Sequence, residues 1–423
     1  MKEFFLLSEP NLVYVVLGTM LLAAGAGVVG CFTVLRKRAL VSDAVAHSVL
    51  PGICVAFMLA QTKNTAVLMV GAVVAGWLSL LLTDAIVKHS KTKPDAAIGI
   101  VLSLFFGLGI LLLTAIQQTG NAAQSGLDKY LFGKAASLTE QDVYIFGGVS
   151  LFLIAAVVVF YTPLKLFSFD PAYSQTRGLP TRFLDFLLST LTVLAVSVGI
   201  QGVGVVLMAS LLIAPCVAAG FFSTNLKTIL VLAGFIAAAA AWLGCLISYL
   251  LPAMPTGPCI VVFLCFFVFF AVIFAPERGL LVKMILAKKR HTKIICENIL
   301  KSFYHLSEQK NSAVVAQTET MLLQKFSHTE LKLGLKTLQK RGFLNQQNHE
   351  YFPSEAGTIE AKRIARLHRL WEMYLYKKLH MPADHVHANA EELEHFITPE
   401  LEAQLDQELN YPSNDPHNKP IPR

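Results

Sequence analysis

From Phe186 to Leu226, 41 consecutive residues carry no charge, and after one lysine a further 49, Thr228 to Pro276, carry none. A soluble domain must give each surface helix a polar face, so uncharged runs of this length belong in lipid, where one span needs roughly 17 to 25 apolar residues. Similar runs fill Asn11 to Leu35 and Ala96 to Leu127, and nothing comparable follows residue 280. The expected fold class is therefore an all-α polytopic membrane protein over residues 1–280, followed by a soluble tail. That tail carries ten of the twelve histidines, and its 20 basic and 17 acidic residues leave it close to neutral.

Qualifying segments lie at about 11–35, 65–87, 95–117, 141–161, 183–200, 203–222, 226–250 and 257–275, with 41–60, spiked by Asp43 and His47, as a ninth. Eight or nine transmembrane helices are expected, surrounded by membrane lipid. Cations fall on alternate sides: Arg36 to Arg38, Lys88 to Lys93, Lys165 to Arg182, Lys227 and Lys283 to Lys293 on one, and only Lys63, Lys129 and Lys134 on the other. The richer side is read as cytoplasmic, which puts the tail in the cytoplasm. Val28 to Cys31 imitates a lipoprotein cleavage site, but the basic cluster that follows at once argues for a retained span. The cysteines have no paired spacing and read as packing residues.

Asp43 and His47 stand at i and i+4, on one helix face, where a carboxylate oxygen and an imidazole nitrogen can meet the same ion. Ionisable groups inside a span are functional candidates by default, and a capping or interhelical hydrogen-bonded pair is the other reading. Pro51 and Gly52 are expected to end this helix soon after. Two ligands bind a divalent ion weakly, so a second permease protomer would supply another Asp and His, a mixed oxygen and nitrogen set suited to manganese, zinc or ferrous iron. The loop from Pro163 to Arg182 is either a short helix that docks a partner or a solvated connector.

LVSDAVAHSVLPG from Leu40, KPDAAIGIVLSLFFGLG from Lys93, LFG from Leu131, FDPAYSQTRG from Phe169, GVGVVLMASLLIAP from Gly202 and MPTGP from Met254 together resemble the motifs of the manganese, zinc and iron permeases of bacterial ABC importers. The resemblance implies the ABC-importer permease fold in the bacterial inner membrane, with Asp43 and His47 as the ion site. It also implies that Phe169, Asp170 and Gly178 couple to an ATP-binding subunit, and that an extracytoplasmic metal-binding protein delivers the cargo. Pro94 and Asp95 stand where the family usually has an acidic pair. No GxxxxGK[ST] loop occurs, so this is expected to be a transport subunit without its own ATPase site.

Beyond residue 280 the apolar period becomes that of soluble helices. Ser327 and Glu330 form a capping box for a helix with Leu331, Leu335 and Leu338 on one face and Lys332, Lys336 and Lys340 on another. A preceding helix over 311–325 and two short strands in FLNQQNHEYFP complete a winged helix-turn-helix across 281–353. Lys332, Lys336, Lys340 and Arg341 are the candidate contacts to promoter DNA. A helical unit over 354–423 follows, in which His387, Glu391, Glu394 and His395 share a helix face and His368 with Glu372 repeat the i, i+4 arrangement.

From about Cys296 the tail resembles metal-dependent regulators of the diphtheria-toxin-repressor family, with their winged-helix and metal-binding, dimerisation parts. The resemblance implies His368, Glu391, Glu394 and His395 as main ligands and Glu372 with His387 as an ancillary site, with manganese favoured because Glu391 stands where iron-sensing members use cysteine. Asn298 and Lys301 occupy positions where manganese-type members place carboxylates, and a lysine there repels a cation. The tail is expected to repress genes when metal-loaded or to gate the permease. A membrane-tethered regulator without transport, and a proton-coupled carrier using Asp43 and His47 as a relay, are the alternative functions.

Overall fold

The computed structural model describes residues 10–61, 65–118, 138–251, 254–310, 315–382, 386, 391 and 397–422. It separates into two compact units, Met1–Val282 and Lys283–Arg423.

All the secondary structure among the first unit's described residues is helical: α1 (Pro10–Leu35), α2 (Ala39–Ala60), α3 (Thr65–His89), α4 (Pro94–Gln118), α5 (Glu140–Val159), α6 (Tyr161–Phe169), α7 (Pro171–Thr176), α8 (Thr181–Val203), α9 (Val205–Phe222), α10 (Leu226–Leu250) and α11 (Thr256–Phe274). Eight of these, α2 included, are long and apolar enough to cross a bilayer, and α9 is a shorter apolar helix. The unit is a multi-pass membrane protein. α1 is the central post, packed against α5, α8, α9 and α10. Its small residues explain that position, since Gly25, Gly27 and Gly30 let neighbouring backbones approach closely. α8 and α9 meet at Gly204, whose φ of +85° and ψ of 168° fall in a region only glycine adopts readily. One apolar stretch thus becomes two discontinuous helices.

α2 does not end at Pro51 and Gly52, as its sequence suggests, but runs on to Ala60 with Pro51 inside it. Packing overrides the local signal. Pro51 is buried, and the Gly52 backbone lies directly against Gly71 of α3, so neighbours hold the helix where a free peptide would break.

The second unit begins on α12 (Leu280–Lys310) and continues through β1 (Gln317–Thr318), α13 (Glu319–Leu323), α14 (His328–Lys340), β2 (Leu344–Gln347), β3 (Glu350–Pro353), α15 (Glu355–Lys378) and α16 (Pro399–Glu408). The three strands form an antiparallel sheet in the order β1-β3-β2. Asn348 and His349, both at positive φ, make the two-residue turn of the β2–β3 hairpin. The helix expected over 311–325 is shorter: among its described residues only Glu319–Leu323 is α-helical. Gln317 and Thr318 instead pair with Tyr351 and Glu350, and the buried Gln317 amide donates to the Ser302 carbonyl at 3.2 Å. The Ser327–Glu330 capping box forms as expected, and Leu331, Leu335 and Leu338 turn inward against Ile295 and Ile299 of α12.

Candidate functional site

α2 carries Asp43 and His47 on one face, with Asp43 Oδ1 3.6 Å from His47 Nε2. Their side chains are 42% and 29% exposed, an unusual degree for ionisable groups in a bilayer-length helix. The His47 ring sits edge-on to Phe106 at 5.3 Å, which fixes its plane. Its Nδ1 is buried and has no hydrogen-bond partner among the described residues, as are the Ser42 and Ser48 hydroxyls beside it. Pro51, inside this helix, has no N–H to donate to the His47 carbonyl one turn back. A carboxylate and an imidazole on one half-exposed face can receive a divalent cation.

Pro94 and Asp95 line a separate cleft of about 260 Å³, shared with Asp84, Arg36 and Arg38. Arg36 also donates to Asp185 at 2.6 Å. This mixed-charge cleft was not legible in the sequence, since its members come from residues far apart in the chain.

The segment expected to couple is shaped by Asp170, which ends α6 and caps α7, its Oδ1 accepting from the Tyr173 N–H at 2.9 Å. Phe169 and Tyr173 are exposed, and Gly178 follows at a φ of +75°. The LFG motif at Leu131 lies outside the described residues.

In the second unit, Lys332, Lys336, Lys340 and Arg341 are all exposed on or just after α14. His368 and Glu372 are buried on α15, with His368 Nε2 3.1 Å from Glu372 Oε1. Glu391 is exposed, and His387, Glu394 and His395 lie outside the described residues. Lys301, on α12, reaches into this cluster: its Nζ stands 3.3 Å from His368 Nδ1 and 3.9 Å from Glu391 Oε1. Nearby, burial together with the positive charges of Lys301 and Arg369 drives His305 down to about 4. With an ammonium between the donors, the described members of this set do not fit a divalent cation. Arg366 and Arg369, which lend α15 its basic look, are structural. Arg366 bonds Asp406 and Glu402, and Arg369 bonds Glu308 and the Pro420 carbonyl.

The profile of the ABC 3 transport family matches residues 8–275, and that of the iron dependent repressor, metal binding and dimerisation domain matches residues 354–423. The chain is 38% identical over 379 residues to the manganese transport system membrane protein MntC of Bacillus subtilis, covering 89% of this chain and 86% of that one. It is also 38% identical over 279 residues to the zinc transport system membrane protein TroC of Treponema pallidum, covering 66% and 94%. Among solved structures, PsaBC from Streptococcus pneumoniae in complex with Fab aligns with a TM-score of 0.59 and 30% identity, over 66% of this chain and 97% of that one.

Proposed function

Because the chain belongs to the ABC 3 transport family, we propose that it is the permease subunit of an ATP-driven importer, with a divalent transition metal as cargo and manganese foremost. The name of the Bacillus relative supports manganese and that of the Treponema relative zinc, with iron a further candidate from the donor chemistry. The observation that carries the reading is the α2 pair, a carboxylate and an imidazole whose Nδ1 is buried without a partner among the described residues. An ionisable pair in a span is costly unless it faces a pathway, and two protomers related by an axis at this face bring four such donors together. The cation exchanges water for these oxygens and nitrogens on its way through, and their modest number lets it leave again.

ATP is hydrolysed by a separate ATP-binding subunit, which meets the exposed Phe169 and Asp170 segment, and an extracytoplasmic metal-binding protein supplies the ion. The tail lies in the cytoplasm. Cells carrying Asp43→Ala or His47→Ala are expected to lose radiomanganese accumulation at unchanged membrane abundance; normal uptake by both variants refutes the site. Metal uptake by liposomes without nucleotide points instead to a proton-coupled carrier.

One observation favours a second role for the tail. The exposed cations of α14 stand beside a formed wing, the surface with which winged helices meet phosphates. A gel shift by the full chain in detergent on its own promoter at low salt tests that role, and no shift removes it.

A further inference from the structure

Lys301 is 6% exposed, an environment in which an ammonium requires partners of complementary charge or a free lone pair. It has both. Its Nζ approaches His368 Nδ1 at 3.3 Å and Glu391 Oε1 at 3.9 Å, while His368 Nε2 lies 3.1 Å from Glu372 Oε1. Glu372 accepts the Nε2 proton, which makes Nδ1 the acceptor nitrogen, and that lone pair faces the ammonium. A metal ion needs the same lone pair and the same carboxylates. Asn298, one turn earlier on α12, brings no compensating charge, and its Oδ1 is buried without a partner among the described residues. A divalent ion placed among these donors would stand against the buried Lys301 ammonium at hydrogen-bond range of His368, with only the Glu391 side open to water.

We propose that Lys301 is a built-in substitute for a metal ion. Its ammonium ties α12 to α15 through His368 and lies within reach of the Glu391 carboxylate, so these elements hold together without any divalent cation. The tail keeps the architecture of a metal-dependent regulator, but at His368, Glu372 and Glu391, the described donors, a lysine stands where the ion would, and this part of the tail holds one state whatever the manganese level. This goes beyond the permease reading and does not rest on it, because Asp43 and His47 belong to the other unit.

The test uses the full chain in detergent, dialysed to equilibrium against Mn²⁺ and, separately, Zn²⁺. Wild type, His368→Ala and Glu372→Gln are expected to bind equal numbers of ions per chain, and Lys301→Glu one more. Hydrogen exchange over residues 296–303 and 364–375 gives a second readout that survives a metal-dependent fold. It is expected to be the same in EDTA and manganese for wild type, but slowed by up to roughly 100-fold for Lys301→Glu when manganese stands 100-fold above its dissociation constant. Loss of one ion from the wild-type count on His368→Ala, or no added ion in Lys301→Glu, overturns the proposal. Failure of the permease reading would appear separately, as uptake that survives Asp43→Ala.

Discussion

The helix that carries Asp43 and His47 is held by backbone contact, and this can be tested at a single methyl group. A Cβ added to Gly52 would lie 2.1 Å from the Gly71 carbonyl oxygen and 2.6 Å from Ala75 Cβ, and one on Gly71 would lie 2.4 Å from the Gly52 carbonyl oxygen. Non-bonded heavy atoms settle at about 3.5 Å, so Gly52→Ala must open the α2–α3 crossing by about 1.4 Å. The obstacle is backbone, and no rotamer change relieves it. Overpacking costs about 1–3 kcal/mol, and a gap of that size also forfeits about half of each dispersion contact along the crossing, which places this variant near or above about 3 kcal/mol. Gly107 on α4 is the control, because a Cβ there meets nothing within 4 Å. Gly107→Ala should be neutral or stabilising by up to about 1 kcal/mol through helix propensity. Thermal unfolding in nanodiscs and manganese uptake in cells are the assays. Gly52→Ala is expected to unfold earlier and to transport poorly because the site face is displaced; if it matches Gly107→Ala in both, the backbone contact is not what positions α2.

Arg369 is buried on α15, where it binds Glu308, Asp415 and the Pro420 carbonyl. Arg369→Ala should cost the tail about 3 kcal/mol by leaving Asp415 and that carbonyl without it, seen as faster hydrogen exchange over residues 413–421. His305 is depressed from 6.5 to about 4, so its folded pKa lies below its unfolded one. The tail's stability is then full above pH 6.5 and falls as pH drops towards 4, by about 1–2 kcal/mol once the exposure of a third of the ring is discounted. His305→Gln should flatten that slope in urea titrations read by a fluorophore on the tail. Phe169→Ala should leave membrane abundance unchanged and lower uptake roughly tenfold or more, with loss of the co-purifying ATP-binding subunit, because an exposed aromatic at a docking surface is an anchor.

Much of this molecule is written in short-range pattern. Uncharged runs gave the spans, because lipid tolerates no unpaired backbone and little charge over that length. The capping box at Ser327 and Glu330 gave α14, and the polar Asn348–His349 turn gave the wing, because each is a contact between residues two to four apart. The i, i+4 spacing put Asp43 with His47 and His368 with Glu372 for the same reason. What the pattern could not give depended on partners distant in sequence. Pro51 reads as a helix end until Gly71 is laid against Gly52. Gln317 and Thr318 read as helix until Tyr351 and Glu350 offer them a ladder.

Sequence alone marked which segments form helices long and apolar enough to cross a bilayer and which donors share a helix turn, since periodicity and solvation act residue by residue. The tertiary structure alone decided that α2 continues through its proline, that the His47 nitrogen turned away from Asp43 is buried without a partner among the described residues, and that an ammonium lies among the tail's donors. Those outcomes turn on distances between atoms that the chain separates by tens of residues, and only packing sets such distances.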